Sequence, residues 1–450
     1  MEQCVNVFWL LVGLSAAALQ VNAAAAPSVS NDVRVLAYDV KVEPDLSSKS
    51  IRGRTTVRFE PLKGVPTPSM LAFDAGGLVI DSARIDGSRV DFVKSGGRVI
   101  VDTSSQARLG VGIHELDFYY HGSPQFGVEF HPERGEVYTV FSSSEWMVCR
   151  DDPSVRAPLQ LQVLLPPESV AIASGTLVST RKMEGGRIEY TWSETRAIPS
   201  FLYGFAAGRY NVATVTKPRF KLKFLSVERT PEELKKIFAD TADMVGFFEE
   251  RSGIPYHGMY SQALVARTIG QEVSQFAVLS ETYGKRVLEG QAANPAYGAL
   301  IAHELAHQWW GLLVTNESWN HFWLNEGFAV FMSAAYLEHR YGPAVYRDLL
   351  FSWQKRVDEV VARGKNHALV YTSWNNPTAD DRAVVYQRGA IVLHDLRQLL
   401  GERAFWSGIK LYTRRYVGRS VNTADFQNAM EEAAGRNLQD FFRSRVYGAE

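Results

Sequence analysis

The sequence comprises 450 residues, of which 46% are hydrophobic, 22% charged and 12% aromatic. This composition is typical of a folded globular protein and excludes the disordered, collagen-like and membrane-spanning classes, while the length allows two or three domains. With 48 basic and 49 acidic side chains the net charge is -1, so no overall field attracts nucleic acid, and we expect no nucleic-acid partner.

The N-terminal segment departs from this average. The residues from Val7 to Leu19 are apolar or small throughout, and Val21-Asn22-Ala23 fits a small-residue cleavage site. We therefore predict a signal peptide over residues 1–23 and an exported protein, either periplasmic or secreted. The apolar run is shorter than the ~20 residues that span a membrane, so we expect no integral membrane segment in the mature chain.

The residues between Ala37 and about Arg209 follow the pattern of β-strands. Tyr38, Val40 and Val42 alternate with charged residues, and glycine-rich turn clusters separate short strands of this kind. Such a pattern is typical of an antiparallel sandwich or saddle with one solvated face. We assign residues 27–209 to an N-terminal β domain.

The sequence beyond residue 210 is typical of helices after one more strand near residues 220–225. Thr230-Pro231-Glu232-Glu233 is a capping box, and it predicts a helix that runs to Gly253. Three further helices are predicted over residues 295–310, from near Asn325 to Gly342, and from about Arg382 to Gly401. Residues 210–450 therefore form a mainly helical second domain, and the fold class is α+β.

A His-Glu-x-x-His pattern, His303 to His307, lies inside the second of these helices. At about 100° per residue both histidines share one face, one turn apart, so both imidazoles can reach one metal ion. Two histidines packed on an apolar helix are the alternative, but this composition predicts only roughly 0.02 chance occurrences of the pattern. A catalytic zinc ion takes three protein ligands, and Glu304 is placed beside it to accept a proton from water.

The third ligand separates the classes of zinc hydrolase. An extended pattern with a third histidine requires glycine at 310 and histidine at 313, but these residues are Trp310 and Leu313. The nearest downstream carboxylates are Glu317, in the turn after the helix, and Glu326, at the start of the next helix. Of these two we choose Glu326.

Eighteen residues separate His307 from Glu326, and the segment around Glu326, Trp323-Leu324-Asn325-Glu326-Gly327-Phe328-Ala329, resembles the gluzincin aminopeptidase family. This family includes aminopeptidase N and the leukotriene hydrolases. The similarity continues in Gln308-Trp309-Trp310-Gly311 and in Val385-Tyr386-Gln387-Arg388-Gly389-Ala390. The resemblance implies a short two-domain member in which a β saddle precedes a thermolysin-like catalytic domain. It also implies one Zn²⁺ per chain, bound by His303, His307 and Glu326.

The resemblance implies further site residues. The tyrosine that hydrogen-bonds the oxyanion in the family corresponds to Tyr386. Ile269-Gly270-Gln271-Glu272-Val273 is similar to the family's Gly-x-Met-Glu-Asn segment, whose glutamate anchors the free amine of the substrate. We therefore expect Glu272, together with Gly270 and Gln271, to bind substrate. The β domain of the family supplies a second anchor, for which Glu145 is the candidate.

The resemblance implies a zinc aminopeptidase that acts on peptides with a free N-terminus. One alternative keeps the zinc site in an endopeptidase or in a hydrolase of a non-peptide substrate such as an epoxide. Another is a peptide-binding protein without catalysis. Glu304 and Tyr386 argue against the latter, because a protein that only binds has no use for a proton acceptor and an oxyanion donor.

Overall fold

The computed structural model describes residues 33–448 apart from 65–67, 105–108, 268, 291–297, 373, 375 and 376. The predicted signal peptide, residues 1–23, and the beginning of the predicted β domain lie outside the described residues. Export therefore stays a prediction. No helix in the described part of the chain is long and apolar enough to cross a membrane.

The described residues up to Gly208 form three β-sheets. Strands β1 to β15 are Val33–Asp45, Ser50–Pro61, Met70–Asp74, Val79–Ile85, Ser88–Val90, Phe92–Ser95, Arg98–Asp102, His114–Gly122, Val128–His131, Glu136–Thr139, Arg156–Leu165, Val170–Ala173, Thr176–Lys182, Ile188–Pro199 and Phe205–Gly208. The largest sheet has the order β13-β14-β11-β1-β2-β8-β4-β5, and the others have the orders β12-β15-β10-β9 and β3-β7-β6.

The alternation of apolar and charged residues along β1 shows which face of the largest sheet is buried. Tyr38, Val40 and Val42 are at most 2% exposed and belong to the core of the β domain. The prediction of an antiparallel domain is correct except at one place, because β1 pairs in parallel with β11, Tyr38 opposite Leu159. Period-two alternation reports only which face is buried, so it does not reveal the direction of the neighbouring strand.

The second part of the chain begins with β16 at Asn211 and combines a five-stranded sheet with helices. Strands β16 to β22 are Asn211–Thr216, Phe220–Ser226, Gly258–Val265, Gly270–Val273, Phe276–Ser280, Val314–Asn316 and Arg419–Val421. Helices α1 to α10 are Pro231–Ile237, Thr241–Ser252, Glu281–Leu288, Gly298–Ala306, Trp323–Tyr341, Pro343–Ala362, Ala379–Ala383, Gly389–Arg415, Thr423–Ala434 and Gln439–Arg445. The α+β fold class is confirmed.

The predicted helix from the capping box to Gly253 is two helices. The capping box of Thr230 and Glu233 is present, but α1 ends at Ile237 and α2 begins at Thr241. At the break the ring of Phe238 stacks on Phe224 of β17, and the buried hydroxyl of Thr241 donates to Gln262 of β18. These contacts with the sheet interrupt the helix, and the local sequence contains no signal for them.

Two other helix boundaries also differ from the predictions. The zinc-site helix, α4, ends at Ala306 rather than 310, because the amides of Gln308 and Trp309 donate three residues back and tighten the turn. The fourth predicted helix begins at Ala379 with its own capping box, not at Arg382. Gly401 adopts φ 75° and interrupts α8, which then continues to Arg415.

The central helix α5 is buried along most of its length and crosses α8 at two glycines. A Cβ atom at Gly327 would lie 3.0 Å from backbone carbon atoms of Gly389. This close approach brings Glu326 of α5 near the π-helical turn Val384–Arg388, which carries Tyr386.

Two sheets meet at the boundary between the two parts of the chain. Tyr138, Val140 and Ile172 of the β domain pack in one buried cluster with Ile269 and Val273, at either end of β19. Strand β19 is the last strand in the order β16-β17-β18-β20-β19, so the β domain packs against the edge of this five-stranded sheet.

We expect Gly327→Ala to destabilise the protein by about 1–3 kcal/mol, because the added methyl group forces α5 and α8 apart. Denaturant unfolding followed by helical circular dichroism measures the change. Gly246→Ala is the matched control, because a Cβ there meets no heavy atom of the described residues within 4 Å, and alanine should stabilise α2 by about 0.5–1 kcal/mol. Equal stability of the two variants would contradict the close packing of α5 and α8.

Candidate metal centre and active site

The structure brings His303, His307 and Glu326 together in the interior. The two Nε2 atoms lie 3.1 Å apart, and Oε2 of Glu326 lies 3.2 Å from Nε2 of His303 and 3.6 Å from Nε2 of His307. Ligand atoms around tetrahedral Zn²⁺ at about 2.0–2.1 Å are separated by roughly 3.3 Å. The three donor atoms therefore fit three corners of such a tetrahedron.

The charges around these ligands also favour a cation. The carboxylates of Glu272 and Glu304 lie with His307 in a second group whose ligand atoms are all within 4.8 Å of one another. Although burial lowers it, the carboxylates of Glu272 and Glu326 raise the pKa of His307 to about 10. When they are ionised, these buried carboxylates favour a positive charge beside them, and a divalent metal ion supplies it without protonating a ligand.

The surroundings of His307 fix which of its nitrogens is available. Nδ1 lies 3.0 Å from the carbonyl oxygen of Trp310, so the ring donates there and leaves the Nε2 lone pair free for a metal. Gly311, at φ 142°, makes room for the ring, because a Cβ at this position would lie 3.0 Å from Nδ1. Burial lowers the pKa of His303, which also favours a neutral ligand.

Glu304 belongs to the second group, with Glu272 and His307, and is not one of the three predicted zinc ligands. Its side chain is 3% exposed, and its Oε2 atom has no hydrogen-bond partner among the described residues. Burial and the neighbouring Glu272 raise the pKa of Glu304 well above its usual range. Gly270 lies against this carboxylate, and any side chain at that position would collide with it. Gly270 thus leaves room for the Glu304 carboxylate, and its part in substrate binding stays a prediction.

Glu272 and Gln271 lie on the edge strand β19 beside this group. Glu272 is 8% exposed, and burial together with Glu326 raises its pKa to about 7, against the opposing effect of His307. The side-chain amide of Gln271 donates from Nε2 to Oε2 of Glu272 at 2.7 Å. The structure therefore places the Glu272 carboxylate beside Glu304 and His307.

Tyr386 also reaches the centre. Its ring stacks on that of His303, with centroids 6.2 Å apart and planes 7° apart. Burial, followed by the carboxylates of Glu326 and Glu272, raises the pKa of Tyr386. The hydroxyl therefore keeps its proton and can donate a hydrogen bond. The π-helical turn that carries it is a feature often found at functional sites.

The structure does not bring Glu145 into this group. Its carboxylate accepts from the amide of Gly77 at 3.0 Å and lies against Gly76 and Gly127. Its carboxylate interacts electrostatically with Lys94 and Asp151, which also belong to the β domain. Glu145 is thus a buried carboxylate of the β domain, separate from the metal centre.

Sequence reasoning assigned no role to Gln308, which the structure places between the zinc-site helix and β19. Its Nε2 donates to the carbonyl oxygen of Val273, and its Oε1 accepts from the amide of Gln275, both at 3.0 Å. The sequence signal was its place directly after His307. A side chain that bonds to backbone groups of a distant strand leaves no other trace in the sequence.

The part of the chain that carries the three predicted zinc ligands matches a known protein family. Residues 288–444 match the model of the Peptidase family M1 domain. His303, His307, Glu326 and Tyr386 thus lie within a segment that matches a family M1 peptidase domain. The expected resemblance to the gluzincin aminopeptidases is therefore confirmed.

Similar proteins extend the match to the rest of the chain. Endoplasmic reticulum aminopeptidase 1 of Mus musculus is 29% identical over 66% of this chain and 33% of its own length. Aminopeptidase 2 of Candida albicans is 24% identical over 90% of this chain and 46% of its own. The chain thus spans about a third to a half of the length of these curated relatives.

A solved structure matches nearly the whole fold. It is an M1 zinc metallopeptidase mutant from Deinococcus radiodurans bound to a Tyr-Ser-Ala substrate, with a TM-score of 0.78 and 22% identity. The match covers 94% of this chain and 96% of that one. At this identity the likeness establishes the two-domain fold.

We expect Glu326→Ala to abolish zinc binding, because only two imidazoles remain to hold the ion. Elemental analysis after dialysis should give about one zinc per chain in the wild type and little in the variant. Glu317→Ala is the control, because Glu317, the other candidate ligand, pairs with Asn422 outside the group. Retention of zinc by Glu326→Ala, or its loss from Glu317→Ala, would reassign the third ligand.

Proposed function

We propose that this protein is a zinc aminopeptidase that removes single residues from the free N-terminus of peptides. The M1 domain and the aminopeptidases among its relatives support the reaction class. His303, His307 and Glu326 hold the zinc ion, and Glu272 binds the substrate amine.

The observation that carries the proposal is the short distance between the amine anchor and the metal ligands. The ligand atoms of Glu272, Glu304 and His307 lie within 4.8 Å of one another. In an N-terminal residue the amine nitrogen is about 2.5 Å from the carbonyl carbon, and each further residue adds roughly 3.3–3.6 Å. One residue therefore fits between Glu272 and the reacting carbonyl group, whereas two do not.

Each residue of the metal centre has its own role in the proposed hydrolysis. His303, His307 and Glu326 would hold the zinc ion, which would supply a Lewis acid for the scissile carbonyl group. Glu304 takes a proton from the attacking water and passes it to the leaving amine. Tyr386 donates its hydroxyl hydrogen bond to the oxyanion that develops on the substrate.

The alternatives are less well supported. An endopeptidase must accommodate substrate residues on the amino side of the scissile bond. Glu272 and Gln271 occupy that side, and both side chains are buried, with at most 8% exposure. An epoxide substrate has no amine to pair with Glu272. A protein that only binds peptides has no need of a carboxylate at Glu304 and a protonated phenol at Tyr386.

We expect Glu304→Gln to retain zinc and to lose hydrolysis by about 10²- to 10⁴-fold, because the amide cannot accept the proton. Fluorogenic aminoacyl substrates and elemental analysis measure the two properties on one sample. The matched control is Glu145→Gln, which alters a buried carboxylate of the β domain. A near-normal kcat in Glu304→Gln would refute the assigned mechanism.

We expect acetylated peptides to react poorly, because they lack the ammonium group that pairs with Glu272. Glu272→Ala should lower kcat/KM for free peptides by about 10- to 100-fold and should leave the zinc content unchanged. The ratio of rates on free and acetylated peptides should fall with it, whereas Glu145→Ala should leave that ratio unaltered. Equal rates of the wild type on both substrates would exclude an aminopeptidase and favour the endopeptidase.

A further inference from the structure

The strand that carries Glu272 ends in a tight turn that the zinc-site helix holds directly. Strands β19 and β20 are joined by Ser274 and Gln275, and Val273 pairs with Phe276. Gln275 adopts φ 67°, a left-handed conformation that glycine normally provides in such turns. A residue other than glycine keeps this strained backbone conformation only where neighbouring groups stabilise it.

Gln308 provides that support from the end of the zinc-site helix. It donates from Nε2 to the carbonyl oxygen of Val273 and accepts on Oε1 from the amide of Gln275. Gln308 is 2% exposed, and both ends of its amide are satisfied by backbone groups of the turn. Because Gln308 directly follows His307, one short segment fixes both a zinc ligand and the position of the turn.

The β domain holds the same turn from the other side. The amide of Ser274 donates to the carbonyl oxygen of Leu202 at 3.0 Å. Its hydroxyl donates to Glu194, and Arg196 donates to that hydroxyl at 2.9 Å. Ser274 is fully buried, and Glu194 is 2% exposed. The turn is thus fixed between the metal centre and the β domain.

We propose that Gln308 and Ser274 are positioning residues that set the distance between Glu272 and the metal ligands, and thereby restrict the enzyme to free N-terminal residues. Glu272 lies two residues before Ser274 on an edge strand, which has a hydrogen-bonded neighbour on one side only. Its position therefore depends on how the turn is held. This inference rests on the proposed function, because it assumes that Glu272 binds the substrate amine.

Gln308→Leu tests the contact with the zinc-site helix. We expect KM for a free aminoacyl substrate to rise about 10-fold, kcat to change by less than about 3-fold, and one zinc to remain bound. The ratio of rates on free and acetylated peptides should fall. Ser274→Ala tests the opposite side of the turn and should shift KM and this ratio in the same direction by about 3-fold.

Ser226→Ala is the matched control. Ser226 is also fully buried, donates to a buried carboxylate, Glu281, and accepts two further hydrogen bonds, but it lies outside the turn. It should lower the melting temperature and leave KM and the substrate ratio unchanged. If Gln308→Leu does not fold, Ser274→Ala decides the question.

The results separate the two proposals. A wild type that hydrolyses free and acetylated peptides equally overturns the proposed function. A wild type that prefers free peptides, with Gln308→Leu and Ser274→Ala both resembling Ser226→Ala in KM and substrate ratio, overturns only the positioning role.

Discussion

The constraint on which this structure depends is the burial of three carboxylates beside two imidazoles. Glu272, Glu304 and Glu326 are each at most 8% exposed, and burying a carboxylate costs several kcal/mol unless a positive charge compensates it. Within the described residues, the compensating groups in contact with Glu326 are the two histidines. A divalent cation among these donors satisfies the carboxylates and keeps both imidazoles neutral, so metal binding and the stability of the interior are coupled.

The rest of the fold serves to hold these side chains in place. Helix α5 is apolar on nearly every face and lies in the centre of the catalytic part, which places Glu326 at its beginning within the interior. The contact between Gly327 and Gly389 sets how closely α8 and the π-helical turn before it approach this carboxylate. Glu304 of α4 and Tyr386 of the π-helical turn both interact electrostatically with Glu272 and Glu326.

The helix predictions succeeded where a local sequence signal determines the local structure. The capping box at Thr230 and the glycine after Tyr341 lie where expected, because capping groups and left-handed glycines act within one turn of the chain. The predictions failed where the sheet decided the outcome. The break before Thr241 depends on contacts with Phe224 and Gln262, which belong to strands elsewhere in the chain.

The sequence by itself predicted the three metal-binding residues that the structure brings together, because the spacing of His303 and His307 follows from helix periodicity and the downstream segment pointed to Glu326. It also determined the α+β class, since period-two and helical patterns separate near residue 210. Only the tertiary structure decided which of the two predicted anchors, Glu145 or Glu272, lies near the metal ligands. Glu145 and Glu272 are both buried glutamates, but Glu145 turns to the amide of Gly77, whereas Glu272 lies beside His307. The physical reason is that strand pairing and the contacts of Gln308 and Ser274 place β19, and such contacts join residues far apart in sequence.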